Sequence, residues 1–220
     1  MKANIHGSPS FAYLDMELAP GESIIAESNA MATMAADLDM KARLNGGLFS
    51  GLCKKLLGKE SLFVSEFKNH RGDNRRITLA QGNPGDMTSI HLQGEKLCLQ
   101  PGAFVASTAG VRLGMQWAGL VSGINREGFF RLTVSGEGLV WFGAYGGLIE
   151  KEVDGRFIVD TSHLVAYEPH LKLKLGMAGG FFSSFFSGEG LVCRVEGTGK
   201  IWLQTRSMPG LVRWLNPKLF

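Results

Sequence analysis

The chain has little of what stiffens or staples a small fold. It carries three cysteines, Cys53, Cys98 and Cys193, and only seven prolines in 220 residues. An odd number of cysteines, far apart and without a CxxC pair, argues against a disulfide framework and fits a reducing compartment. They read as small buried apolar residues. Long apolar runs are missing too. The longest uncharged stretches, Leu97–Val111 and Leu175–Gly188, fall short of the ~20 residues that span a bilayer. Residues 1–20 are broken by Asp15 and Glu17 and hold no secretory signal. The expectation is a cytoplasmic chain that does not cross a membrane. Acidic residues stop at Glu196, while Lys200, Arg206, Arg213 and Lys218 follow. The net charge of +3 is too small to imply nucleic acid.

Catalytic signatures are also lacking. No GxSxG elbow or HExxH helix occurs, and His6, His70, His91, His163 and His170 are scattered. Gly136-Glu137-Gly138 and Gly197-Thr198-Gly199 lack the third glycine and the following helix of a dinucleotide loop. They read instead as hairpin turns, where glycine supplies positive φ. Arg71-Gly72-Asp73 reads as a charged hairpin tip. Arg71, Arg75 and Arg76 cluster, but Glu60, Glu66 and Asp73 dilute them and no aromatic is interleaved. The expectation is a protein that is not an enzyme, with no catalytic residue, metal or cofactor.

What is abundant is glycine, at 30 residues, together with period-two alternation. Phe130, Leu132 and Val134 share one face and Arg131 and Thr133 the other; Leu191, Cys193 and Val195 alternate with Arg194 and Glu196. That is the pattern of half-buried strands. Phrases recur at intervals of ~60 residues, the mark of a repeated supersecondary unit. Gly102-Ala103-Phe104-Val105-Ala106 aligns with Ser162-His163-Leu164-Val165-Ala166, and the run ending at Trp141 with the run ending at Trp202. Leu18-Ala19-Pro20-Gly21 echoes Leu99-Gln100-Pro101-Gly102. The reading is all-β: three repeats, 11–82, 86–153 and 156–206, each of roughly four short strands, packed about a pseudo-threefold axis. They form a single domain, 1–206, of double-stranded β-helix or sandwich type with short helical inserts. A tail, 207–220, follows. Repeat one would close in a hairpin of Leu62–Phe67 and Arg75–Ala80. Asn83–Asp86 and Glu152–Gly155 serve as linkers.

Three apolar segments interrupt the alternation at matching places. They are 46–57, 117–124 and 179–186, and they carry Leu48, Phe49 and Leu52; Trp117, Leu120 and Val121; and Phe181, Phe182, Phe185 and Phe186. Either they fold back as plugs or meet their copies in an oligomer, or they form an apolar cap for a membrane or partner. The pseudo-threefold would gather them at one end. Trp214 sits in a tail that mixes apolar, aromatic and basic residues, which suits an anionic interface or packing on the chain itself.

Several phrases carry a family resemblance. They are Ala19-Pro20-Gly21-Glu22-Ser23, Gly46-Gly47-Leu48-Phe49, Gly58–Phe63, Val159–Ala166, Gly188–Arg194 and, most specifically, Gly197–Ser207. Over residues 10–207 the chain resembles the bacterial and mitochondrial family formerly called domain of unknown function one-two-four. That family is named for altered inheritance of mitochondria protein twenty-four. The resemblance implies a β-rich, oligomeric fold similar to the tryptophan RNA-binding attenuation protein. It brings no active site, and its mitochondrial members are associated with inner-membrane organisation. The resulting expectation is a non-catalytic homo-oligomeric scaffold, a trimer, peripheral to the inner membrane face. It would engage the membrane surface or membrane proteins through the apolar segments and tail. The rival is a ligand- or RNA-binding module with Arg71, Arg75 and Arg76 on the rim of a groove.

Overall fold

The computed structural model describes residues 1–44, 63–117, 130–177 and 191–219. Leu48, Phe49, Leu52, Leu120, Val121, Phe181, Phe182, Phe185 and Phe186, and the expected helical inserts, lie outside the described residues. The rest is antiparallel β-structure with one short α-helix near the C-terminus. The strands are β1 (Lys2–His6), β2 (Tyr13–Leu18), β3 (Ser23–Glu27), β4 (Met31–Met34), β5 (Asp39–Leu44), β6 (Phe63–Lys68) and β7 (Arg75–Ala80). Then come β8 (Met87–Leu99), β9 (Phe104–Thr108), β10 (Val111–Trp117), β11 (Phe130–Gly143), β12 (Leu148–Asp160), β13 (Leu164–Tyr167), β14 (Lys172–Met177) and β15 (Leu191–Gln204). Helix α1 (Met208–Leu215) follows.

Two sheets form. One has the order β1-β2-β7-β4; the other runs β12-β15-β13-β8-β11-β9-β3-β6-β5, with β10 added to β11 and β14 to β15. A single arrangement recurs within them. β11 pairs along its length with β8; its other edge takes β10 at the start and β9 at the end. β15 is paired in the same way by β12, β14 and β13. In the N-terminal part the long strands are broken in two: β3 and β5 flank β6, while β2 and β4 flank β7.

The glycine pairs expected to reverse the chain do not do so. Gly136-Glu137-Gly138 lies inside β11 and Gly197-Thr198-Gly199 inside β15. Gly136 and Gly138 take φ of 104° and 137°, and the ladder to β8 shifts register between Ser135 and Glu137. Glycine's access to positive φ bends a long strand here instead of turning it. The expected linker 152–155 is likewise strand interior, with Glu152 opposite Lys200 and Gly155 opposite Gly197. β6 and β7 are no hairpin: each pairs with other strands, and 69–74 carries the chain from one sheet to the other. Leu18 also departs from its echo. It faces Arg75 at the end of β2, whereas Leu99 faces Leu132 and, across its other edge, Ala166.

Alternation delivers the core. Leu14, Met16 and Leu18 on β2 pack with Ile77 and Leu79 on β7, joined by Val105, Ala106 and Trp141. Leu99, Phe104, Leu132, Val134 and Phe142 form a second cluster that takes in Val165, Ala166 and Trp202. A third gathers Val153, Leu164, Tyr167, Cys193, Val195 and Ile201, with Cys98. Each fully buried aliphatic or aromatic side chain contributes roughly 1.5–3 kcal/mol. With β1–β7, β8–β11 and β12–β15 taken as three blocks of strands, each cluster takes in side chains from a neighbouring block, so the blocks share their cores.

Candidate interaction surface

Three strand pairs bracket the apolar segments. Leu44 lies opposite Phe63, Trp117 opposite Phe130 and Met177 opposite Leu191, all antiparallel. The backbone of Trp117 closes β10, so of the predicted contact residues only Trp117 and Trp214 lie in described strands or helices.

Trp214 belongs to α1. Ser207 caps the helix, its hydroxyl accepting from the Gly210 amide at 3.2 Å, and Pro209 occupies the first turn, where no amide donor is needed. Beyond Lys218 the chain reaches Leu219 through a 3-10 turn (Asn216–Lys218). Met208, Leu211, Val212 and Leu215 fall at helical spacing on one side and Arg213 opposite them, with Trp214 flanking Leu211. Such a stripe normally faces a core. Here no residue of the helix is buried: Trp214 is 63% exposed and Val212 59%, and Leu219 beyond it is 62% exposed. Lys218 Nζ stands 5.0 Å from the centre of the Trp214 ring, placing a cation beside the aromatic.

The basic cluster is disposed differently. Arg75 donates through Nε and Nη2 to both oxygens of Asp37, at 2.7 and 2.8 Å, and its Nη1 lies 2.6 Å from Asp73 Oδ2. Arg71 Nε lies 3.5 Å from the same Asp37. The Arg75 guanidinium holds both carboxyls below the usual carboxylate range, and they in turn push its own value up. Asp37 and Asp73 thus offset much of the positive charge that Arg71 and Arg75 bring to this surface, where a phosphate groove needs uncompensated cations.

Two concavities among the described residues bear on the question of a ligand site. One, of about 170 Å³, lies where β7, β11 and β15 end, among Gln81, Gln100, Tyr145, Ser162 and Gln204. Its amides are spent on the chain itself: Gln81 donates to the Ala144 carbonyl, Gln100 to that of Thr161 and Gln204 to that of Ser162. The other, of about 490 Å³, has Trp141, Ser89, Thr108 and Ser23 in its walls, and Glu22 paired with the amino terminus at 2.7 Å. Among the described residues no group of His, Cys, Asp and Glu side chains is arranged to hold a metal. His163 Nδ1 contacts the Gln204 carbonyl and His170 Nε2 that of Thr198, each at 2.7 Å. No described helix is long and apolar enough to cross a membrane.

Sequence reasoning singled out Trp214 through its basic and aromatic company. It missed the outer edge of β12, which has no strand partner among the described residues and where Ile158 is exposed, because alternation marks Ile158 simply as one face of a strand.

Relatives place this geometry in context. The uncharacterized protein M6_Spy0233 of Streptococcus pyogenes serotype M6 is 24% identical over 217 residues, spanning 94% of this chain and 87% of that protein. The crystal structure of SPYM3_0169 from Streptococcus pyogenes superposes with a TM-score of 0.81, covering 99% of both chains at 22% identity, which establishes likeness of fold. The model of the family described as mitochondrial biogenesis AIM24 matches residues 3–206, so the chain belongs to the AIM24 family.

Proposed function

We propose that this protein is a non-catalytic oligomeric scaffold, peripheral to the inner membrane face, that docks on an anionic membrane surface or on membrane proteins. The contact surface is the tail helix together with Leu48, Phe49, Leu52, Trp117, Leu120, Val121, Phe181, Phe182, Phe185 and Phe186. The carrying observation is α1, whose apolar side and Trp214 lie open while no acid follows Glu196. A helix of that composition gains from laying its apolar side into the headgroup boundary, and each basic residue near an anionic surface adds roughly 1 kcal/mol. The three blocks, each with an apolar segment between paired strands, support multivalent contact. The family's description as one of mitochondrial biogenesis agrees with a role at a membrane.

Co-sedimentation with vesicles, anionic against zwitterionic, tests the reading. The intact protein is expected to sediment with anionic vesicles. Changing Val212, Trp214 and Leu215 to Ser should weaken this by about tenfold or more, in line with the loss of several buried apolar side chains. Changing Phe181, Phe182, Phe185 and Phe186 to Ser tests the other contact independently. No sedimentation of the intact protein with anionic vesicles overturns the proposal.

A further inference from the structure

The blocks are joined by one kind of strand contact, used twice. β13 lies antiparallel to the end of β8, with Ala166 opposite Leu99 and Tyr167 opposite Cys98. β9 lies antiparallel to β3, with Ala106 opposite Ala26 and Ser107 opposite Ile25. The donor strands are equivalent by an independent mark, a bulge at the same place. The register shifts between Leu164 and Ala166 on β13, and between the partners of Phe104 and Ala106 on β9. β4 carries the same shift, between Met31 and Thr33. Thr33 therefore stands where Ala106 and Ala166 stand, and Met34 where Ser107 and Tyr167 stand.

β4 has no acceptor. Among the described residues it pairs only with β7, at the end of its sheet. Its equivalents show what is missing. Phe104, Val105, Ala106 and Ser107 are buried, and so are Leu164, Val165, Ala166 and Tyr167. Met31, Ala32 and Thr33 are exposed and Met34 only half-buried.

The matching acceptor edge lies at the other end of the chain. Leu99 sits opposite Leu132 as Val159 sits opposite Cys193, and Leu132 and Cys193 hold the same place against Met115 and Leu175. Val159 and Ile158 are thus the counterparts of Leu99 and Cys98. Among the described residues β12 pairs only with β15, at the terminus of the large sheet. Ile158 is 68% exposed where Cys98 is 1% exposed.

We infer that β4 of one copy of this chain adds antiparallel to the outer edge of β12 of a second copy, with Thr33 opposite Val159 and Met34 opposite Ile158. The occupant is a second copy because this chain holds both halves of a joint it already makes twice internally. The two surfaces differ, so the contact is heterologous. Its closure angle decides between a ring and an open chain. It covers two sheet edges whose unpaired backbone groups and exposed Met31 and Ile158 otherwise invite indiscriminate strand addition. The inference deepens the oligomeric half of the scaffold reading and is independent of the membrane half.

The test is mass by light scattering after size exclusion. The intact chain is expected to be oligomeric, and Thr33→Lys and Ile158→Lys are each expected to reduce it to monomer with unchanged circular dichroism and melting. Mixed in equal amounts, the two variants should form a dimer and nothing larger, since each retains the edge the other lacks. As a second readout, a Met34→Cys chain and an Ile158→Cys chain should form a mixed disulfide on oxidation, because directly opposed Cα atoms lie about 4.5–5.5 Å apart. A monomeric intact chain, variants that leave the oligomer unchanged, or no mixed disulfide overturns the inference. Anionic-vesicle binding by the monomeric variants is read separately, so loss of the joint and loss of membrane contact are distinguished.

Discussion

Two buried polar residues show how much turns on whether a partner is present. Asn69 is fully buried at the point where the chain leaves β6. Its Nδ2 donates to the carbonyls of Leu18 and Asp73 at 2.9 and 2.8 Å, and its Oδ1 accepts from the Arg71 amide. Asn69→Leu strands those groups and should lower stability by about 2–4 kcal/mol in urea denaturation. Ser107 is equally buried, but its hydroxyl has no partner among the described residues. Ser107→Ala should therefore leave stability unchanged or raise it by about 1 kcal/mol. Burial acts on titration as well. It pushes the Cys193 thiol up to about 11 from 9.0, and it pushes Tyr167 up to about 12 from 10.0 against the opposing hydrogen bond from Arg131. Below pH 9 the thiol is protonated in both folded and unfolded chains and adds no pH dependence. From 9 to about 11 the unfolded chain loses that proton first, so stability falls as pH rises, and Tyr167 continues the fall towards about 12. Urea midpoints measured from pH 8 to 11 should decline, and a Cys193→Val, Tyr167→Phe double variant should decline less. The burial of Cys98 and Cys193 was legible from the sequence, since scattered cysteines in apolar alternation have few other roles. The partners of Asn69 were not, because they come from strands far apart in the chain.

Among elements, the long bent strand decides the architecture. β11 and β15 each run 14 residues, and glycine at the bend lets one strand serve three neighbours. Gly136 holds φ of 104°, and a Cβ there would approach the Gly110 carbonyl oxygen to 2.5 Å. Gly136→Ala should cost about 2–4 kcal/mol in denaturant unfolding, combining backbone strain with a backbone clash. A tolerated alanine would mean the bend does not need glycine. The alternation of Leu132, Val134, Leu191, Cys193 and Val195 located the strands correctly. It could not separate a turn from a bend, since both call for positive φ at glycine. What separates them is whether the flanking runs pair with each other or with other strands, and that is a long-range fact.

For the whole molecule, shared cores tie the blocks while the tail stands apart. Because no residue of α1 is buried, ending the chain after Arg206 should move the melting temperature little, by roughly a degree. The same truncation should markedly reduce sedimentation with anionic vesicles. A large loss of thermal stability would show that the tail packs on the body in solution. The rival RNA-groove reading is tested at this scale too. With Arg71 and Arg75 committed to Asp37 and Asp73, a gel-shift assay should show no salt-dependent binding of single-stranded RNA.

Sequence alone determined the all-β class, the recurrence of phrases around Phe104 and Leu164 and around Trp141 and Trp202, the family, and the chemical character of the tail. The class and the tail's character are written in neighbouring residues through period-two alternation and composition, and the family in the resemblance of phrases such as Gly197–Ser207. Tertiary structure decided that the glycine pairs bend strands, that residues 152–155 lie within one, that Arg75 is ion-paired with Asp37 and Asp73, and that among the described residues the edges at Met31 and Ile158 have no strand partner. These depend on which distant segments meet. Pairing partners are chosen by the burial and hydrogen bonding of the whole chain at once, and no local pattern records that choice.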